Sequence, residues 1–202
     1  MAGLKPRLYD LGMKPLERSR IQRIRNRIAG KAEGQVLEIG SGTGANFPLY
    51  TKADMVHAIE PDSAMRKKSL ERAKGVRVPI KTYEAKAERL PFPENMFDTV
   101  VATLVFCTIP QPEKALQEIR RVSKPGASVL FFEHVRVENR KAGKLQDVLT
   151  PLWKRVAGGC HLNRDTLLTI RQSGLTVVRA TPSYKGLFLE IECINDKEQP
   201  RK

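Results

Sequence analysis

The chain has few cysteines and no long apolar run. Only three of its 202 residues are cysteines, Cys107, Cys160 and Cys193, and their wide spacing matches no metal-ligand pattern. This usage favours reduced thiols over a disulfide framework, so we expect a cytoplasmic protein. No apolar run reaches the roughly 18 residues of a transmembrane helix. The first residues also lack the apolar region of a secretory signal.

Acidic residues are scarce relative to basic ones. There are 22 of them against 36 lysines and arginines, which gives a net charge of +14. Such a charge attracts nucleic acid, an anionic membrane surface or small anions. The basic residues are spread along the chain without interleaved aromatic residues, so nucleic acid is not favoured. The hydrophobic content of 41% is ordinary for one globular domain of this length.

A basic amphipathic helix is predicted over residues 15–29. Leu16, Ile21, Ile24 and Ile28 form an apolar stripe near the helical period, and arginines occupy much of the remaining surface. Such a helix either packs on the domain or lies peripherally on an anionic membrane. Because the stripe is small and lacks tryptophan, packing on the domain is favoured.

Short apolar strands alternate with helices along the rest of the chain. This order predicts an α/β fold with a mostly parallel, doubly wound, Rossmann-like sheet. The predicted strands cover residues 35–39, 55–60, 76–84, 97–103, 128–135, 175–180 and 187–194, and the predicted helices cover residues 63–73, 113–122, 141–156 and 164–173.

The most informative segment is a strand that ends in glycines. Gly40, Gly42 and Gly44 follow a short apolar run, and Glu38 precedes them. The glycines permit positive φ and let a ligand approach the backbone. A carboxylate at this turn would repel a phosphate but suits the ammonium group of S-adenosylmethionine. Two alternatives remain: a dinucleotide site, whose G-x-G-x-x-G/A pattern Ala45 completes, and a turn without a ligand.

A second acid supports a nucleotide-like ligand. Glu60 ends the second predicted strand, about twenty residues beyond the first glycine, where an acid binds ribose hydroxyl groups in doubly wound sheets. Ribose is common to NAD and S-adenosylmethionine, so Glu60 favours the site without choosing between the two.

These segments resemble the class I S-adenosylmethionine-dependent methyltransferases. The segment from Glu38 to Gly44 resembles the first motif of that family, and Glu60 resembles its ribose-binding acid. Residues 84–97 resemble the adenine-side loop, and residues 121–127 resemble the turn into the fifth strand. The resemblance implies a seven-stranded sheet whose last strand runs antiparallel.

A closer resemblance, to the alkyl-thiol S-methyltransferases and their soluble bacterial relatives, extends into the C-terminal third. Residues 42–47, 102–107, 132–135 and 159–164 carry it. It implies methyl transfer to a small-molecule acceptor, with a thiol as the first candidate. The alternatives are a lipid N-methyltransferase of the phosphatidylethanolamine type and, less favoured, an RNA methyltransferase. Fold resemblance transfers the cofactor more securely than the acceptor.

The resemblance also divides the chain and assigns roles. Residues 1–33 correspond to a basic helical lid, residues 34–195 to the methyltransferase domain and residues 196–202 to a polar tail. His134 is a candidate proton acceptor, with His161 as the alternative. The predicted cofactor-binding residues are Glu38, Gly40, Ser41, Gly42, Gly44, Glu60, Pro61, Met65, Ala87, Glu88, Thr103 and Leu104; the predicted catalytic residues are His134, Asp10 and Tyr9, and no metal is expected.

Overall fold

A seven-stranded sheet lies at the centre of the molecule. The computed structural model describes residues 20–198. The strands are β1 (Glu33–Ile39), β2 (Lys52–Ile59), β3 (Ile80–Tyr83), β4 (Phe97–Thr103), β5 (Ser123–His134), β6 (Thr176–Ser183) and β7 (Phe188–Ile194). Their order in the sheet is β3-β2-β1-β4-β5-β7-β6, and β7 runs antiparallel to both of its neighbours. The predicted Rossmann-like fold with an antiparallel last strand is confirmed.

The central strands bury side chains on both faces of the sheet. In β1, Leu37 and Ile39 enter one apolar core, whereas Val36 enters the other. In β4, Val100 and Val101 divide between the two cores in the same way. This alternation follows from the two-residue period of a strand. Because both faces are covered, these strands are apolar almost throughout.

Five helices cover the sheet or flank it in the described part of the chain. Those helices are α1 (Arg20–Ala29), α2 (Ser63–Ala73), α3 (Pro112–Val122), α4 (Arg140–Val156) and α5 (Thr166–Gln172). Ile21, Ile24 and Ile28 of α1 are buried, as expected for a helix that packs on the domain. Residues 15–19 of the predicted first helix lie outside the described residues. Between residues 20 and 198, no helix is long and apolar enough to cross a bilayer.

The fifth strand starts earlier than the sequence pattern predicts. The chain passes directly from Val122 at the end of α3 to Ser123 at the start of β5. Ser123 pairs with Phe97, but the next pair joins Ser128 to Thr99, so the intervening residues of β5 bulge out of the ladder. A bulge accommodates a proline, which cannot donate a ladder hydrogen bond. Residues 124–126, which the family resemblance places in a turn, therefore form an irregular part of β5.

Candidate active site

The candidate site lies where the strand order reverses. β1 lies between β2 and β4, and doubly wound sheets bind ligands outside the carboxyl ends of the strands at such a point. A pocket opens there. Its lining residues are Ile39, Gly40, Ile59, Glu60, Pro61, Lys86, Ala87, Glu88, Val105, Thr108, Ile109 and Pro110.

The glycine turn after β1 shapes one wall of this pocket. Gly40 has a φ of +64°, and a Cβ atom there would lie 2.2 Å from Cγ2 of Val105. Gly42 also has a positive φ, but a Cβ atom at that position would meet open space. The buried hydroxyl of Ser41 has no hydrogen-bond partner among residues 20–198. A buried polar atom without a partner is uncommon, so the turn offers both space and an unused polar group to a ligand.

Glu60 is fixed at the pocket by the backbone. Oε2 of Glu60 accepts a hydrogen bond from the amide of Gly42 at 2.9 Å, and Oε1 accepts one from the amide of Asp62 at 2.9 Å. Burial raises the pKa of Glu60, and these two hydrogen bonds oppose the rise. Each carboxylate oxygen can accept a further hydrogen bond. The geometry therefore suits a pair of ribose hydroxyl groups.

Glu38 lies behind the turn in a buried polar network. Its Oε1 accepts from Nδ2 of Asn46 at 3.0 Å. Nη1 of Arg25 donates to Oδ1 of Asn46 at 2.9 Å and to the hydroxyl of Thr103 at 2.8 Å. Burial raises the pKa of Glu38 to about 7, although hydrogen bonds and the nearby Arg25 charge act in the opposite direction. The carboxyl group is thus close to its titration point at neutral pH.

The predicted adenine-side residues are on the opposite wall. Ala87 and Glu88 line the pocket together with Lys86. Oε1 of Glu88 accepts a hydrogen bond from the backbone amide of Gln111 at 3.3 Å. This contact ties the adenine-side loop to the start of α3.

Several predicted cofactor residues lie near the pocket without lining it. Ser41, Gly42 and Gly44 form the turn itself, and the side chain of Thr103 belongs to the Arg25 network. Met65 lies in the first turn of α2, where its amide donates to Asp62. Leu104 follows β4 with a φ of +54°. A bulky residue in that conformation carries backbone strain, which is often stored at functional sites.

His134 belongs to a cluster that sequence spacing did not indicate. At the end of β5, its Nε2 lies 3.0 Å from Sγ of Cys160, and the sulfur of Cys107 is also close. A hydrogen bond between the two cysteines, together with His134, lowers the pKa of Cys160. The same pairing and burial raise the pKa of Cys107. The pKa of Cys160 is therefore the lower of the two.

His161, the alternative proton acceptor, is hydrogen-bonded to its own segment. Burial and the Arg164 charge lower the pKa of His161 from its ordinary value. Nη2 of Arg164 lies 3.1 Å from Nδ1 of His161. Tyr9 and Asp10, the remaining predicted catalytic residues, lie outside the described residues.

Comparison with known proteins agrees with this geometry. A family profile described as a methyltransferase domain matches residues 37–131. The chain is 34% identical over 196 residues to thiol S-methyltransferase TMT1B of Rattus norvegicus, a match that covers 93% of this chain and 79% of the relative. The chain belongs to the class I S-adenosylmethionine-dependent methyltransferases.

Two further proteins are similar to this methyltransferase, one in sequence and one in fold. It is 31% identical over 184 residues to the phosphatidylethanolamine N-methyltransferase of Cereibacter sphaeroides, which covers 90% of this chain and 89% of that protein. A solved SAM-dependent methyltransferase from Aquifex aeolicus superposes with a TM-score of 0.62 at 19% identity, over 86% of this chain and 88% of the other. The latter likeness shows the fold.

S-adenosylmethionine is the cofactor of this methyltransferase, and the pocket fits it. Gly40 allows close approach, Ser41 has an unused hydroxyl and Glu60 presents a positioned carboxylate. Gly40, Glu60, Pro61, Ala87 and Glu88 were predicted for the cofactor, and the structure brings them together at one pocket.

Sequence reasoning missed two parts of the candidate site. Arg25 and Asn46 form the hydrogen-bond network around Glu38. No sequence motif indicates this role, because it depends on contacts that form only in the folded chain. The pocket wall formed by Val105, Thr108 and Ile109 follows β4 directly. Its position after a parallel strand at the ligand edge is a signal that could have found it.

Proposed function

We propose that this methyltransferase transfers the methyl group of S-adenosylmethionine to a small-molecule thiol. The observation that carries the proposal is the similarity to a thiol S-methyltransferase over 93% of the chain. That span includes the segment after α4, where Arg164 donates to the backbone of the loop after β4. The apolar wall of Val105, Ile109 and Pro110 suits a poorly hydrated acceptor.

The chain's own residues bind and orient the reactants. Glu60 accepts hydrogen bonds from the ribose, and Ala87 and Glu88 contact the adenine side. Glu38 stabilises the ammonium end, directly or through the Asn46 side chain. The cofactor supplies a methyl group on a sulfonium, and its transfer is an in-line displacement in which positioning and exclusion of water dominate. Deprotonation of the acceptor gives the reactive thiolate, and His134 is the proposed proton acceptor.

The proposed role of Tyr9 and Asp10 is to close over the site from residues 1–33. The described end of that region supports a position near the site, because Arg25 in α1 contacts Thr103 at the end of β4. Residues 34–195 then form the methyltransferase domain, and residues 196–202 form the tail.

A panel of acceptors tests the proposed activity. The protein is incubated with S-adenosylmethionine and small thiols, or with the matching alcohols and amines, and both products are measured by mass spectrometry. We expect S-methylated thiols together with an equal amount of S-adenosylhomocysteine. Methylation of amines but not thiols would overturn the proposal.

Substitution of Glu60 links this activity to the pocket. Loss of two hydrogen bonds to a charged acceptor should weaken S-adenosylhomocysteine binding by roughly 10- to 100-fold in Glu60→Ala, as measured by titration calorimetry. Glu71→Ala is the matched control, because Glu71 lies in α2, is exposed and pairs with Lys74 at 3.1 Å. Equal affinities in the two variants would remove Glu60 from the cofactor site.

A lipid acceptor is the second candidate, and one surface favours it. α4 exposes an apolar stripe at helical spacing. Elsewhere in residues 20–198, most large apolar side chains are buried. In α1, by contrast, Arg25 is buried and Arg27 pairs with Glu190 at 2.6 Å. We therefore propose that α4 makes the main peripheral contact with an anionic membrane and that the basic N-terminal helix adds positive charge. Phosphatidylethanolamine vesicles in the same assay test the lipid activity. If no methylated headgroup forms, the lipid candidate is wrong.

A further inference from the structure

Three side chains from distant parts of the chain meet at the loop that follows β4. The sulfur atoms of Cys107 and Cys160 and a ring nitrogen of His134 all lie within 4.8 Å of one another. Zinc binds thiolate sulfur at about 2.3 Å and imidazole nitrogen at about 2.0–2.1 Å. Two sulfur ligands of one ion are therefore at most about 4.6 Å apart. The separations in the cluster are therefore of the size that three ligands of one ion require.

Hydrogen bonds hold the backbone of this cluster in place. The amide of His161 donates to the carbonyl oxygen of Cys107 at 2.9 Å. The guanidinium of Arg164 donates to the carbonyl oxygens of Phe106 and Ile109, the latter at 2.7 Å. These contacts fix the loop after β4 against the segment after α4. A site that is already assembled loses little conformational entropy when an ion binds.

Burial and charge are also compatible with a divalent cation. The exposed fractions of Cys107 and Cys160 are 3% and 9%, and His134 is half-buried. A divalent ion with two thiolates and a neutral imidazole carries no net charge, so burying it avoids most of the cost of an isolated charge. Thiolate and imidazole ligands together favour zinc over magnesium or calcium.

We propose that Cys107, Cys160 and His134 bind one Zn²⁺ ion and leave a fourth coordination position for the acceptor. Three protein ligands with an open position are typical of catalytic zinc sites, whereas structural sites are closed by four ligands. The loop that carries Cys107 also supplies Val105 and Thr108 to the cofactor pocket. The loop that would hold the ion thus also forms part of the pocket wall.

The reaction at the fourth coordination position depends on the proposed function, because it requires a thiol as the acceptor. With His134 as a zinc ligand, its ring is not the proton acceptor. A thiol that coordinates zinc instead loses its proton to solvent and binds as the thiolate. The thiolate sulfur then forms a bond to the methyl carbon, while the bond from that carbon to the sulfonium breaks. The electron pair of the broken bond stays on the sulfur of S-adenosylhomocysteine. The thioether product is uncharged and a weaker ligand, so it dissociates.

Cobalt substitution tests the site without relying on activity. The full chain is reduced, stripped with a chelator and titrated with Co²⁺, followed by absorption spectroscopy. We expect a thiolate-to-cobalt charge-transfer band and the visible bands of a four-coordinate ion, at one ion per chain, displaced by Zn²⁺. Absence of the charge-transfer band in the wild-type chain would overturn the site.

Variants identify the ligands. Cys107→Ala, Cys160→Ala and His134→Ala should each weaken Co²⁺ binding at least tenfold and change the spectrum. Cys193→Ala is the matched control, since Cys193 is buried in β7 away from this cluster. Circular dichroism and S-adenosylhomocysteine binding establish that each variant is folded. An unchanged charge-transfer band in both Cys107→Ala and Cys160→Ala would contradict the assignment.

Methyl transfer to a thiol, measured before and after Zn²⁺ is restored, separates this inference from the proposed function. We expect the rate of thiol methylation to fall at least tenfold in the stripped protein and to return when Zn²⁺ is added. If the stripped protein methylates thiols at the full rate, the zinc role fails and the proposed function stands. If the site binds Co²⁺ through these residues but no thiol is methylated, the metal site stands and the proposed function fails.

Discussion

Two carboxyl groups near the cofactor pocket differ in how the protein stabilises them. Glu60 accepts hydrogen bonds from two backbone amides and faces the pocket. Glu38 is more deeply buried, and burial raises its pKa to about 7. The first group is positioned to bind a ligand, whereas the second makes the folded state sensitive to pH.

Replacement of Glu38 by glutamine should reduce the pH dependence of stability. In the unfolded chain a glutamate titrates near 4.5, but the folded pKa of Glu38 is about 7. Between these values the folded state keeps a proton that the unfolded state has lost, so the free energy of unfolding falls as pH rises. We expect Glu38→Gln to be more stable than the wild type by about 1–3 kcal/mol at pH 8, with little difference at pH 4.5.

Denaturant unfolding of both proteins between pH 4.5 and 8, without cofactor, measures this effect. Glu84→Gln serves as the exposed control and should follow the wild type. A Glu38→Gln curve parallel to that of the wild type over the whole range would contradict the interpretation.

The two glycines of the turn should respond differently to alanine. Both have positive φ, which costs an alanine about 1–2 kcal/mol. In Gly40→Ala the new Cβ atom also meets Val105 at 2.2 Å, whereas in Gly42→Ala it meets nothing. We therefore expect a larger loss of unfolding free energy in Gly40→Ala, with loss of S-adenosylhomocysteine binding. Equal losses of stability in the two variants would argue against the close approach of Val105.

At the scale of elements, α1 and α4 use their apolar faces in opposite ways. α1 buries Ile21, Ile24 and Ile28 in the core, so these apolar side chains are not available to another partner. α4 exposes six large apolar side chains: Leu145, Val148, Leu149, Leu152, Trp153 and Val156. Their spacing places them along one helix face. Exposed lysines and arginines on the same helix are Arg140, Lys141, Lys144, Lys154 and Arg155.

Polar substitution on α4 should weaken membrane binding. An exposed apolar stripe flanked by basic residues favours insertion at the surface of an anionic bilayer. We expect a Val148→Ser, Leu152→Ser double variant to float less with phosphatidylglycerol-containing vesicles than the wild type. Leu168→Ser is the control, because Leu168 is exposed on the short helix α5. Membrane association through α4 is wrong if the double variant floats as well as the wild type.

At the scale of the whole molecule, stability is concentrated at the centre of the sheet. β1 and β4 are paired on both sides and covered on both faces, whereas α4 is largely exposed. Regions with few buried apolar contacts open with a lower free energy. The net charge of +14 adds a long-range attraction to anionic surfaces.

Hydrogen exchange should reveal this gradient. We expect amides of β1 and β4 to exchange slowest and those of α4 to exchange faster than those of α3. Anionic vesicles should slow exchange in α4 and leave α3 unchanged, as measured by mass spectrometry of peptides. Exchange in α4 as slow as in β4 would show that this helix is more firmly packed than its exposure indicates.

The sequence alone determined the fold class, the family resemblance and much of the cofactor pocket. These features depend on local patterns: apolar runs that alternate with helices, glycines after β1 and an acid after β2. Such patterns act within a few residues, and the parallel sheet then brings the strand ends together. The boundaries of β5 were less predictable, because pairing with β4 and β7 extends the strand through Pro125.

Only the tertiary structure decided which distant side chains meet. Arg25 contacts Thr103 across 78 positions, and His134 contacts Cys160 across 26. Neither contact follows from spacing, because it depends on the strand order and on how the segment after α4 returns to the loop after β4. The sequence thus predicted much of the candidate cofactor pocket, whereas the packed sheet decided the environment of Glu38 and assembled the cysteine–histidine cluster.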